Sequence, residues 1–85
     1  MYSGPLRISE GERFALDSYG NGAAYTFRDK TGKESVWMQD DDASAFRETY
    51  DALQTLLPSF GPDEILGILW NDHDYGAAAS PDADA

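Results

Sequence analysis

The sequence predicts an α+β fold: a three- to four-stranded antiparallel meander covered by one helix, with a second short helix beside it. Three observations carry this. Apolar residues alternate with polar ones up to residue 39, between turn-forming clusters. The apolar period then lengthens to steps of four, three and four at Phe46, Tyr50, Leu53 and Leu57. Finally, 85 residues suffice for one two-layer domain and are too few for two.

The elements follow in order. Leu6 and Ile8 alternate with Arg7 and Ser9 as a short edge strand, and Glu10-Gly11 supplies a turn. Residues 13–19 continue the alternation with Phe14 and Leu16 on one face. Gly20-Asn21-Gly22 is a hairpin signal, because Asn and Gly both tolerate positive φ. Residues 24–28 form the next strand, with Tyr25 and Phe27 on the same side. Asp29-Lys30-Thr31-Gly32 reads as a type I turn with Gly32 in the left-handed position. Residues 34–39 return, Val36 and Met38 facing one way and Trp37 the other.

Asp40-Asp41-Asp42 then caps a helix over 43–57, since Asp is a preferred N-cap and suits the positive end of the helix dipole. Phe46, Tyr50, Leu53 and Leu57 line its inner face, while Arg47, Glu48, Asp51 and Gln54 face water. Pro58 ends it. Pro62 and Asp63-Glu64 open a second helix, which Ile65, Leu66, Ile68, Leu69 and Trp70 make apolar around most of its girth. Such a helix is buried on two sides or forms an interface. The domain therefore spans 1–75, and 76–85, built of Ala, Ser, Pro, Asp and Gly, reads as a disordered acidic tail.

Charge separates the function classes. Sixteen acids oppose six bases, a formal charge of −10, and the imbalance is uneven. Through Arg47 there are eight acids and six bases; from Glu48 onward there are eight acids and neither Lys nor Arg. Direct nucleic-acid binding is excluded, because neutralising phosphates needs clustered cations. An anionic membrane surface is disfavoured for the same reason, and the apolar run 65–70 is far too short to span a bilayer. The absence of cysteine fits a reducing cytoplasm, and 1–7 lack the basic start and apolar stretch of a secretory signal.

Signals for catalysis and metal binding are weak. His73, the sole imidazole, sits in Asn71-Asp72-His73-Asp74, where a general base oriented by an aspartate is conceivable only within a pocket. A solvated histidine beside a tail is the expectation. Asp40-Asp41-Asp42 lacks the alternating oxygens of a calcium loop, and Asp72-x-Asp74-x-Gly76 lacks its closing acid. No enzyme activity, cofactor or metal is expected.

What remains is recognition of a partner. Carboxylates fixed on a small rigid body can occupy the places that phosphates take in a duplex, so that a basic groove binds the protein instead. Asp41, Asp42, Glu48, Asp51, Asp63 and Glu64 are the candidate acids. Trp37 is either an interface anchor among arginines or a residue covered by a terminal segment.

The stretch Tyr25-Thr26-Phe27-x-Asp29, a strand ending in Met38, and Asp41-Asp42-Ala43 opening a helix that contains Tyr50 resemble part of the small acidic anti-CRISPR proteins of phages, most closely the DNA mimics that block type I surveillance complexes. The resemblance covers 25–53; a clear N-terminal helix is lacking, and the apolar second helix is additional. It implies a phage or prophage origin, no cofactor, and a basic DNA- or crRNA-binding groove on a Cas backbone or large subunit as partner. Only Asp41 and Asp42 carry over as phosphate mimics. The leading expectation is thus a non-enzymatic inhibitor of a nucleic-acid-binding surface. The alternatives are an immunity or antitoxin protein that neutralises a basic toxin, and a homo-oligomeric assembly module using Trp37 and the second helix.

Overall fold

Residues 6–20 and 23–81 are described by a computed structural model, and they form an α+β two-layer domain. Strands β1 (Leu6–Glu10), β2 (Phe14–Tyr19), β3 (Ala24–Asp29), β4 (Glu34–Gln39) and β5 (Ser80–Pro81) make an antiparallel sheet in sequential order. Helices α1 (Asp40–Leu56) and α2 (Pro62–Asn71) cover one face.

The inward half of each strand supplies the core. Leu16 lies opposite Phe27, and Phe27 opposite Val36; Tyr25 lies opposite Met38. Helix α1 adds Ala43, Phe46 and Tyr50, and α2 adds Ile65, Leu66, Leu69 and Trp70. Phe27 is the hub. Its ring centroid lies 5.1 Å from that of Trp70, 5.5 Å from Phe46, 5.9 Å from Phe14 and 6.2 Å from Tyr75. These tilted and edge-on pairs suit the ring quadrupoles. Four of the five apolar residues of α2 are buried and Ile68 is partly so, which explains its apolar girth: the helix is wedged between α1, β2 and the chain that follows it.

Several local expectations are corrected. Helix α1 begins at Asp40, so the three carboxylates occupy its first turn instead of preceding it; Gln39 stands at the N-cap without a side-chain cap bond. The dipole argument survives this shift, since acids in the first turn still oppose the exposed N–H groups. In the β3–β4 turn the left-handed residue is Lys33, φ 57°, not Gly32. Asp29 closes that turn by accepting the N–H groups of Thr31 and Gly32, both at 3.1 Å. A Cβ on Gly32 would stand 3.0 Å from the Asp29 carboxylate, so it is close approach that asks for glycine here. Gly20 does take positive φ, 58°, while Asn21-Gly22 lies outside the described residues.

The largest correction concerns the expected tail. Asp74, at φ 64°, turns the chain after α2 and sends Tyr75 back onto Phe46, 5.1 Å between ring centroids. A short 3-10 turn, Gly76–Ala78, follows, and Ala79 packs against the core. Ser80 and Pro81 then pair with Ser35 and Glu34, adding the fifth strand. Residues 82–85 lie outside the described residues.

Candidate partner-binding surface

Charge is segregated by layer. Between residues 6 and 39 five acids (Glu10, Glu12, Asp17, Asp29, Glu34) balance five bases (Arg7, Arg13, Arg28, Lys30, Lys33). Between residues 40 and 81 nine acids face Arg47 alone, a net of −8. The sheet layer also pairs its charges internally. Asp17, 4% exposed on the sheet face away from the helices, is gripped by Arg7 and Arg28. Glu10 bridges Arg7 at 2.8 Å and Lys30 at 2.7 Å, and Arg13 reaches Asp29 at 3.2 Å. The uncompensated field therefore comes from the helices and the segment after them.

The six candidate acids fall into different environments. Asp41 and Glu48, seven residues apart, share the outward stripe of α1, opposite buried Phe46 and Tyr50, and both are exposed. At 1.5 Å per residue they stand about 10 Å apart along the axis. Asp51 lies on one flank, paired to Arg47 at 3.0 Å, and the same guanidinium donates to the Tyr25 hydroxyl at 3.1 Å. Asp42 lies on the other flank and faces β4.

Asp63 and Glu64 have structural duties. The Asp63 carboxylate accepts three consecutive backbone N–H groups of the β1–β2 turn, from Glu12 at 2.8 Å, Arg13 at 3.1 Å and Phe14 at 3.0 Å. The turn forms an anion-binding concavity and the protein fills it with its own side chain. The bond from Phe14 above all, with those from Arg13 and Glu12 and the charge of Lys30, holds the Asp63 carboxyl below its ordinary range against the upward push of burial. Asp63 thus fastens α2 to the sheet, and it is removed from the set of free phosphate-like groups. Glu64 accepts the Gly61 N–H at 3.2 Å, closing the start of α2, and its side chain stays exposed.

Trp37 is 54% exposed on the outer sheet face, edge-on to Tyr19 with centroids 5.1 Å apart. It borders a cleft of about 700 Å³ between β4, the start of α1 and the chain after α2. Met38, Asp42, His73, Asp74 and Tyr75 are among the other lining residues. Sequence reasoning placed neither His73 nor Asp74 in a site. The available signal was the cluster Asn71-Asp72-His73-Asp74 directly after an apolar helix, but only the return of the chain to β4 turns that cluster into a wall. Among the described residues no hydrogen bond joins the His73 imidazole to a carboxylate or hydroxyl, the link that ordinarily orients a general base. Burial, and secondarily the charge of Asp42 on the same cleft, pushes the Tyr75 phenol upward.

Fold and surface together define a small α+β scaffold with a neutral sheet and a strongly acidic helical layer. Comparison with protein-family models, with curated proteins and with solved structures found no match. No described helix is long and apolar enough to cross a membrane, and no group of three or more His, Asp or Glu residues among those described is placed to hold a metal ion.

Proposed function

We propose that this protein is a non-enzymatic inhibitor that binds a basic nucleic-acid-binding surface and thereby keeps nucleic acid off it. One observation carries the reading: all the net charge of the described residues lies in the two helices and the segment after them, while the sheet strands and their turns are balanced and pair most of their charges with one another. A solubilising charge has no reason to collect on one layer. A charge that imitates a polyanion does, because the partner meets one face only. Asp41 and Glu48 form its outermost pair, about 10 Å apart along the axis of α1. Asp42 and Glu64 extend it on the flanks. The resemblance in residues 25–53 makes a type I CRISPR surveillance complex the partner to test first, with its DNA- or crRNA-binding groove as the surface occluded.

The experiment measures target-DNA binding by a purified type I surveillance complex as the protein is added, over a range of sodium chloride. Inhibition is expected to weaken at least tenfold between 50 and 200 mM salt, as counterion release dictates for several charge contacts. Asp41→Lys combined with Glu48→Lys should abolish it with the fold retained by circular dichroism. Salt-independent inhibition, or full inhibition by the folded double variant, sinks the reading. Capture of a small basic toxin in place of the ribonucleoprotein would move the same face to the immunity-protein alternative.

A further inference from the structure

The two outer edges of the sheet are treated differently. At β1 the edge is broken by a bulge between Arg7 and Ser9 and carries Arg7 and Glu10, devices that discourage pairing with another strand. At β4 the edge is covered only at its start, where β5 pairs with Glu34 and Ser35. Along an antiparallel strand the backbone groups point alternately to either neighbour. The Asp40 N–H reaches Ala23 on the β3 side, so Gln39, Trp37 and Ser35 point outward. Ser35 meets Ser80. Beyond it the chain has already left the edge: the N–H groups of Ala77, Ala78 and Ala79 bond to Asp74, Tyr75 and Gly76 within their own turn. Among the described residues, Trp37 is therefore left with its ladder N–H and C=O groups open along the cleft, and Gln39 with its N–H, the Gln39 C=O at the N-cap taking the first bond of α1.

We infer that this cleft receives an extended, lysine- or arginine-bearing segment of a partner protein, which pairs with Trp37 and Gln39 as an added strand. The inference rests on the reading of the partner as basic, and it adds a second point of contact to the α1 stripe. Charge complementarity selects the occupant. The cleft is lined by Asp42 and Asp74 and by no lysine or arginine, so cationic side chains on the helix side of an incoming strand meet carboxylates. On the other side of that strand, alternate residues lie beside exposed Trp37, where an apolar chain or a guanidinium packs well. A second copy of this chain is a poor occupant because each carries −10. The chain's own C-terminal direction does not supply one either, since β5 pairs Ser80 with Ser35 and then Pro81 with Glu34, running away from Trp37.

The probe is an acetylated and amidated alternating peptide, Lys-Val-Lys-Val-Lys-Val-Lys, titrated into the full chain while amide exchange is followed by NMR. At saturation the Trp37 and Gln39 amides should exchange at least tenfold more slowly. The matching Glu-Val peptide, and a Lys-Val peptide N-methylated at alternate amides, should leave them unchanged. Asp42→Asn with Asp74→Asn, which keeps a residue tolerant of φ 64° at position 74, should weaken binding at least fivefold. Asp41→Lys with Glu48→Lys should leave peptide binding within about threefold. Peptide binding without protection at Trp37 and Gln39 overturns the inference, as does no binding at millimolar peptide or a salt-insensitive dimer that buries this edge. Should the peptide fail while the α1 double variant still loses its partner, strand addition falls and the acidic-face reading stands. Should the peptide bind while partner capture is indifferent to salt, the reverse holds.

Discussion

Asp63 joins sequence to fold through one carboxylate. Glu12, Arg13 and Phe14 donate three backbone N–H groups to it, the first two at exposed positions and the third half-buried, and a hydrogen bond to a charged group contributes about 1.5–3 kcal/mol. Asp63→Ala should therefore destabilise the domain by about 2 kcal/mol, roughly 8–16 °C in Tm for a chain of this size. The pH dependence has a definite sign. Because the folded carboxyl is held below its ordinary range, its contribution is complete above about pH 4 and disappears as pH falls through the lowered folded value. Asp29 behaves alike: burial pushes it up, but the Arg13 hydrogen bond and the N–H groups of Gly32 and Thr31 outweigh this. Thermal melts of wild type and Asp63→Asn should then differ by a constant amount from pH 8 to 5 and converge below pH 4. Self-repulsion of the other acids is nearly common to both chains and cancels in the difference. At the hub of the core, Phe27→Ala should cost about 3–5 kcal/mol, a large share of the roughly 5–15 kcal/mol that holds a domain folded, and so lower the Tm read by circular dichroism by at least about 12 °C.

Among the elements, the segment 72–81 decides what the surface looks like. It is held by Tyr75 on Phe46, by Ala79 on the core, and by Gly76 against the Trp70 indole, where an added Cβ would lie 2.5 Å from Nε1 and 2.7 Å from Cδ1. Gly76→Ala should push the turn outward, at a cost of about 1–3 kcal/mol, and raise Trp70 accessibility to acrylamide quenching while α1 and the first four strands keep their protection. This segment also marks where sequence reading stopped. The strands and α1 were legible because Phe14, Leu16, Tyr25, Phe27, Val36 and Met38 follow period two, and Phe46, Tyr50, Leu53 and Leu57 follow the helical period. Both patterns are local. Tyr75 is a single aromatic in a polar, alanine-rich stretch, and its partners Phe27 and Phe46 are 48 and 29 positions away in the chain. No local period records that contact, so the return to β4 and the cleft it walls off could not be read. The same holds for Asp63, whose position after Pro62 reads correctly as a helix start but whose bonds span about 50 residues. Exposure of Glu48, by contrast, followed directly from spacing; spacing also put Trp37 on the sheet face opposite Val36 and Met38 but left open whether a terminal segment covers it.

For the whole molecule, segregating charge puts stability and binding in opposition. Carboxylates gathered on α1, α2 and the following segment repel one another in the folded state more than in an expanded chain, and nothing in that layer but Arg47 offsets them. Added salt shortens the Debye length from about 30 Å at 0.01 M to about 3 Å at 1 M and so relieves this repulsion. The paired sheet layer gains little from the same change, because its exposed bridges are worth little to begin with. The Tm of the isolated protein should thus rise by a few degrees between 10 mM and 0.5 M sodium chloride. Its affinity for a basic partner should fall over the same range. Glu48→Lys separates the two effects: it lowers the repulsion on the outer stripe of α1, and no hydrogen bond to the Glu48 side chain is found among the described residues. That variant should melt no lower than wild type at 10 mM salt, show a smaller rise of Tm with salt, and bind the partner more weakly. Scanning calorimetry at three salt concentrations reads the first two, and titration against the partner reads the third. A Tm that is flat with salt in both chains would mean that the carboxylates are compensated by contacts outside this arrangement. The acidic layer would then be an ordinary solvated surface and not a stored attraction for a cationic groove.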